Sequence, residues 1–159
     1  MTQEELKTIF SYDSLTGVFV WKRTSRKGSK AGFLHDGRYW ALSWKGKRYP
    51  AHRMAWVYMH GKIPKKMQID HINGNKTDNR IENLRLATAS QNRCNCPLRS
   101  NNKSGYKGVS MPKNRSVWEA RITIKGKMTY LGSFLTPEAA SIAYQSVLSE
   151  YHGEFARPE

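Results

Sequence analysis

Asp70 and His71 stand side by side, Asn83 follows, and Asn92 lies nine residues beyond it, all threaded through IDHINGNKTDNRIENLRLATASQN. A carboxylate, an imidazole and two amides at this spacing place a proton acceptor beside oxygen donors for a hard cation. An imidazole near neutral pH can take a proton from water, the part His71 would fill. The carboxylate of Asp70 and the amide oxygen of Asn92 suit a divalent ion that neutralises charge on a phosphate and on a departing alkoxide. Two protein ligands are enough for Mg2+, which usually keeps waters and accepts phosphate oxygens. Asn83 would hold the intervening loop or the imidazole by hydrogen bonds. The same residues also suit a solvated loop, because Asp-His pairs and Asn-Gly turns are common on surfaces. Residue types alone leave both readings open.

The flanking elements decide whether those groups can converge. Lys65–His71 reads as an extended strand. Neighbouring strand residues point to opposite faces, so Asp70 and His71 can serve one phosphate only if the strand ends or bends there. Asn73-Gly74 supplies that break, and residues 73–79 form a polar loop dense in turn formers. Ile81–Leu86 resumes an extended course. Thr88 and Gln91 match a capping box, and a helix starting there puts Asn92 in its first turn, near the positive end of the helix dipole. The segment is therefore strand, loop, strand and helix.

Upstream, Gln3–Phe10 reads as a short amphipathic helix, Val18–Lys22 as a strand and Arg23–Lys30 as a basic Ser/Gly loop. Arg38–Trp44 and Lys47–Ala51 read as a hairpin across Lys45-Gly46. His52–His60 reads as a helix that Gly61 ends and Pro64 keeps from resuming. Residues 96–104 read as a polar linker. After it, Tyr106–Met111, Val117–Ile124 and Lys127–Phe134 read as strands, the last two joined at Lys125-Gly126. Thr136 then caps a helix opening at Pro137. Ala139, Ala140, Ala143, Tyr144, Val147, Leu148 and Tyr151 form a stripe on that helix that must lie on the sheet. The expected fold class is α+β. Residues 1–95 would hold a small antiparallel sheet and a ββα metal module with its core at 50–95. Residues 105–159 would hold a three-stranded antiparallel sheet packed on one helix.

Charge narrows the partner. The 159-residue chain carries 27 Lys and Arg against 12 Asp and Glu, a net +15, which draws it toward polyanions. The excess is uneven: residues 1–103 hold 20 basic and 7 acidic side chains, residues 104–159 hold 7 and 5. Double-stranded DNA is the expected partner. No stretch is apolar enough to span a bilayer and MTQEELKTIF lacks a signal-peptide pattern, so a soluble protein of the cytoplasm is expected, the bacterial host's if phage-encoded. Cys94 and Cys96 alone cannot complete a zinc site, and two reduced thiols are expected.

The HINGN and DNRIENLR elements, with Ala51-His52-Arg53-Met54-Ala55-Trp56 before them, resemble the HNH endonucleases, specifically the homing subgroup of phages and introns. The likeness covers roughly residues 50–95. It implies that His71 is the general base, that Asn83 positions loop and base, and that Asp70 and Asn92 are metal ligands. Asn92 stands where many family members have a histidine, which favours one Mg2+ or Mn2+ ion per site. Arg80, Arg85 and Arg93 flank the segment and would clamp neighbouring phosphates. The Arg23–Lys30 loop, with Arg23, Arg26, Lys27 and Lys30, would be a second contact surface for DNA. No role in the chemistry is assigned to His52.

Residues 105–156 resemble the AP2/ERF DNA-binding domain through Tyr106-Lys107-Gly108-Val109, Trp118-Glu119-Ala120-Arg121-Ile122, Tyr130-Leu131-Gly132-Ser133-Phe134, Ala139-Ala140, Ala143-Tyr144 and His152-Gly153. That domain lays its sheet in the major groove. On the alternating middle strand, Trp118, Ala120 and Ile122 would face the helix, leaving Glu119, Arg121 and Thr123 toward DNA. Lys107, Ser110, Arg121, Thr123 and Tyr130 fall at family contact positions. The chain is thus expected to be a monomeric, site-specific, metal-dependent DNA endonuclease without a small-molecule cofactor. With one site per chain it would nick one strand, leaving 5′-phosphate and 3′-hydroxyl ends. The alternative is a DNA-binding regulator built on an inactive HNH scaffold.

Overall fold

The computed structural model describes residues 1–155 except Arg99 and Lys125, and the side chains of His152 and Glu154 are also outside the described set. Lys125, half of an expected turn, therefore lies outside the described residues, as do residues 156–159. The chain divides into two compact units, the first Met1–Ala89 and the second beginning at Ser90. That division falls before the stretch 96–104 expected as a linker. The reason is local: Asn102 Oδ1 accepts from the amides of Ser104 and Gly105, and Ser104 Oγ donates to the carbonyl of Val109. These bonds fold the end of the stretch onto residues 105–109.

In the first unit, α1 (Gln3–Ile9) opens on a capping box in which Thr2 accepts from the Glu5 amide and Glu5 reaches back. Leu6 and Ile9 are its buried face. The helix stops one residue sooner than its apolar pattern suggests, because Phe10 turns extended and begins a strand. That strand, β1 (Phe10–Asp13), pairs with β2 (Val18–Trp21), which pairs with β3 (Lys30–Ala31). A second three-stranded sheet orders β4 (Phe33–His35), β5 (Tyr39–Trp44) and β6 (Lys47–Pro50). Its hairpins turn at Asp36-Gly37 and Lys45-Gly46, where both central residues have positive φ, the geometry that matches strand twist. Then α2 (Ala51–His60) ends at Gly61, whose φ is 81°. Last come β7 (Gln68–His71) and β8 (Leu84–Ala87), paired antiparallel with Asp70 opposite Arg85 and His71 opposite Leu84. The strand expected over Lys65–His71 is thus shorter, with Lys66 at positive φ before it. A 3-10 turn at Ile81–Asn83 replaces the start of the extended course expected from Ile81.

Aromatic side chains build this unit's core. Phe10 lies 4.5 Å from Trp21 and 6.2 Å from Phe19 between ring centroids, and Leu6, Leu42 and Ala55 close around them. Burying a large apolar side chain is worth roughly 1.5–3 kcal/mol, so this cluster supplies the rigidity that β7 and α2 rest on.

The helix α3 (Ala89–Cys94) begins one residue after Thr88, and all of it from Ser90 on belongs to the second unit. Cys94 is half-buried and Cys96 exposed, and burial pushes the Cys94 thiol up. A sheet ordered β11-β10-β9 comes after it, made of β9 (Val109–Ser110), β10 (Trp118–Ile124) and β11 (Lys127–Phe134). The first of these is far shorter than Tyr106–Met111, because Asn102 and Ser104 tie down the segment leading to it, the former donating to the Tyr106 carbonyl. The helix α4 (Pro137–His152) opens with Thr136 accepting from the Ala139 amide. Ala140 and Leu148 are buried while Tyr151, expected on the same stripe, is exposed. Val109, Ala120 and Ala140 form a small core with Trp118, Leu131, Phe134 and Tyr144 around it. Gly108 sits under the Tyr144 ring with no room for a side chain.

Candidate active site

The site grows from the end of β7. Asp70 and His71 are both buried, 5% exposed each, and the strand stops at His71, where the Gly74 amide closes a turn onto the His71 carbonyl. Their side chains find different partners. Arg85, directly across the ladder, grips Asp70 Oδ2 with Nε and Nη2, both at 3.0 Å. The pair is almost wholly buried, with 11% and 6% side-chain exposure. Charge-assisted contacts of this kind are strong and directional, so the guanidinium orients the carboxylate. Arg85 was expected to clamp a phosphate; its charge is instead engaged by Asp70.

His71 Nε2 meets the amide oxygen of Asn79 at 3.3 Å. The amide's nitrogen points to the Thr77 carbonyl at 3.5 Å, which sets which end faces the ring. An acceptor at Nε2 calls for the proton to reside there, leaving Nδ1 as the basic nitrogen of the neutral ring. Burial pulls the His71 pKa below its ordinary value, and the Asn79 bond and the Asp70 charge oppose that only in part. The ring is therefore neutral at neutral pH, the state a proton acceptor needs. Beside it stands His52 of α2, ring centroids 5.0 Å apart, with Tyr39 of β5 stacked 5.4 Å from His52 and 6.3 Å from His71. Lys76 rests over the Tyr39 ring at 5.3 Å. Burial, then the nearby charges of His71 and Arg53, push His52 down to about 3, and its Nδ1 is buried without a hydrogen-bond partner.

Asn83 is buried and holds the loop. Its Oδ1 accepts from the Asn73 amide at 3.0 Å and its Nδ2 donates to the Asp78 carbonyl at 2.9 Å. Asn73 donates its own side-chain amide to Asp78 Oδ2, while Asn75 Oδ1 accepts from the amide and hydroxyl of Thr77. Arg80 closes the loop with Nε and Nη2 on Asp78 and Nη1 on Glu82. These contacts hold Asp78 down at about 2, the Arg80 hydrogen bond contributing most. Arg80, expected at a phosphate, is thus ion-paired within the loop.

Of the residues expected at the site, Asp70, His71 and Asn83 come together in the first unit. Asn92 lies on α3, and Arg93 is exposed on the same helix. Arg23, Arg26 and Lys27 are exposed between β2 and β3 and Lys30 is exposed on β3, with Lys30 held 4.3 Å over Trp40 and Arg26 5.9 Å over Trp21. In the second unit Arg121, Thr123 and Tyr130 are exposed, with Arg121 opposite Tyr130 in the register. Lys107 donates to the Cys94 carbonyl. Glu119, expected on the outward face with Arg121, is buried there, its carboxylate taking Arg121 at 2.6 Å and Arg115 at 3.4 Å. Asn79, Tyr39 and the Asp70–Arg85 pair were not foreseen. Only the pair left a trace in the sequence, since antiparallel pairing of the two strands around the loop sets Asp70 against Arg85.

A family model described as HNH endonuclease matches residues 49–94, the stretch from β6 through α3. Over 106 residues the chain is 38% identical to Protein 3.8 of Escherichia phage T7, an overlap of 67% of this chain and 87% of that protein. Residues 49–94 are an HNH endonuclease domain. Further HNH relatives are an uncharacterized HNH endonuclease of Acanthamoeba polyphaga mimivirus, 35% identical over 102 residues (64% of this chain, 52% of that one), and YosQ of Bacillus subtilis (strain 168). YosQ bears the name of a prophage-derived HNH homing endonuclease and is 30% identical over 97 residues, 58% of this chain and 55% of that one. The chain spans about half the length of these last two relatives. A solved structure titled "DNA binding and cleavage by the HNH homing endonuclease I-HmuI" covers 90% of this chain and 84% of its own at 18% identity and a TM-score of 0.46. No helix among the described residues is long and apolar enough to cross a membrane.

Proposed function

We propose that this HNH endonuclease is a site-specific homing enzyme that hydrolyses a phosphodiester of double-stranded DNA. The observation that carries the proposal is a buried, neutral imidazole on His71, oriented by Asn79 and flanked by the Asp70 carboxylate. His71 accepts a proton from water as the water attacks phosphorus, and the 3′-oxygen leaves, giving 5′-phosphate and 3′-hydroxyl ends. General-base help of this kind is worth roughly 10²–10⁴ in rate. Among the described residues no three His, Cys, Asp or Glu side chains gather as a metal cluster. One buried carboxylate with amide oxygens is nonetheless a donor set suited to a hard ion that keeps its waters. Asp70 would hold one Mg2+ or Mn2+, with Asn92 as the second ligand that the family resemblance implies. When bound, the ion supplies charge neutralisation at the phosphate and the leaving oxygen.

DNA is engaged by the basic loop Arg23–Lys30 and by the exposed sheet face bearing Arg121, Thr123 and Tyr130, placed AP2-like in the major groove with Lys107 nearby in sequence to β9. Arg93, exposed on α3, adds a further basic contact to DNA. The protein acts as a monomer, and one site per chain cuts one strand. The test is supercoiled plasmid carrying the native flanking locus, with Mg2+ and with EDTA. Wild type is expected to nick and His71→Ala to lose cleavage while still binding. If the two behave alike, the proposal fails. Specific binding without any cleavage by wild type would identify a regulator on an inactive scaffold.

A further inference from the structure

The amide that meets His71 is braced from behind by the hairpin of β1 and β2, far from it in sequence. Tyr12 on β1 donates its hydroxyl to the backbone carbonyl of Asn79 at 2.7 Å. In the turn after β1, the Ser14 carbonyl accepts from the Ile81 amide at 3.2 Å. Gly17, in the same turn at φ +72°, lies so close that a Cβ would stand 2.5 Å from the carbonyl carbon of Asn79 and 2.6 Å from the Arg80 nitrogen. Three contacts therefore converge on three consecutive residues, and each falls on their backbone.

The brace is itself stiff. The Asp13 carboxylate accepts from the Leu15 amide at 2.9 Å and the Thr16 hydroxyl at 2.7 Å, and the Gly17 amide donates to the Asp13 carbonyl at 2.8 Å. The Tyr12 ring packs 4.7 Å from Phe19 and 5.6 Å from Tyr58, which anchors its hydroxyl on the core. A hydrogen bond from so fixed a donor defines where the Asn79 backbone sits, and the side chain carries that placement to His71.

We propose that Tyr12 and Gly17 form a latch that positions Asn79 and, through it, sets the orientation and tautomer of the His71 imidazole. Both are positioning residues, since neither reaches the reacting atoms. The consequence for cleavage rests on the function proposed above, whereas the consequence for the ring does not.

The test therefore reads both. The ring 15N shifts of His71, single-turnover cleavage and DNA affinity are measured for wild type, Tyr12→Phe, Gly17→Ala and Asn79→Ala. Small misplacements of a reacting group can cost on the order of 10²-fold. Gly17→Ala is expected to slow cleavage by about that factor and Tyr12→Phe by about tenfold, with DNA affinity unchanged and the Nε2-protonated pattern lost. On the Asn79→Ala background, Tyr12→Phe is expected to add nothing. Tyr12→Phe keeps the ring and its packing, so it decides the matter if Gly17→Ala does not fold. The latch is overturned if Tyr12→Phe leaves the 15N pattern as in wild type, or if its effect adds in full to that of Asn79→Ala. A shifted 15N pattern with no cleavage by any protein, wild type included, would sink the function proposed above and leave the latch standing.

Discussion

His52 makes the first unit acid-labile well above the range where carboxylates titrate. Its Nδ1 is buried without a partner, and burial, with the charges of His71 and Arg53, lowers its pKa from 6.5 to about 3. The sign comes from linkage. A histidine whose folded pKa lies below its unfolded one contributes full stability above the unfolded value. That stability is lost as pH falls below about 6.5, because the unfolded chain takes up the proton first. Between pH 7.5 and 5.0 the loss amounts to about 2 kcal/mol from this group alone. For a unit of 89 residues, that corresponds to a fall in Tm of roughly 8–16 °C. His71 shifts in the same direction and adds to the slope. The assay is thermal unfolding followed by circular dichroism over that pH range, for wild type and His52→Phe. The variant is expected to flatten the pH dependence by most of that amount while His71 retains its part. Identical slopes for the two proteins would refute the assignment of His52 as a buried neutral ring.

The same geometry sets three further outcomes. Arg85→Met should cost about 3 kcal/mol in chemical denaturation, because it strips a buried carboxylate of its guanidinium; Asp70→Asn in the same chain should recover a large share, and strict additivity would contradict the pairing. Asn83→Ala should destabilise by roughly 1–3 kcal/mol and speed amide exchange at Asn73, with unchanged exchange counting against its role in the loop. The Asp78 carboxylate, held at about 2 by Arg80 and Asn73, contributes stability above about pH 4 that is lost as pH falls through about 2. In urea at those two pH values, Asp78→Asn should show a smaller difference than wild type, by up to about 2 kcal/mol.

Elements set by local chemistry were legible in the sequence. Lys127–Phe134 forms a strand over the expected residues, and α4 starts at Pro137 under a Thr136 cap, because cap and turn chemistry act within a few residues. Asp36-Gly37 carries as strong a turn signal as Lys45-Gly46, and it joins β4 to β5. By contrast β3 is two residues long and exists only because β2 offers it an edge, so no periodicity marks it. At the site, the pattern from Asp70 to Asn83 names the residues, but the partners of His71 come from elsewhere. Asn79 is an ordinary loop amide until Tyr12 and Gly17 press on it, and His52 is an ordinary helical histidine until α2 lays it against His71. Neighbours 19 to 67 positions apart leave no spacing to read. The buried Glu119 is a similar case, since Arg121 and Arg115 cover a position that alternation alone leaves outward.

Trp118, half-buried at the edge of the second core, is that unit's one indole, while Trp21, Trp40, Trp44 and Trp56 all belong to the first. The protein thus carries an emission label on each half. Trp118→Phe silences one half and leaves a spectrum that reports the first unit by itself. The difference from wild type isolates the other half, so the order in which the two units melt, or respond to DNA, can be followed by fluorescence without attaching a dye.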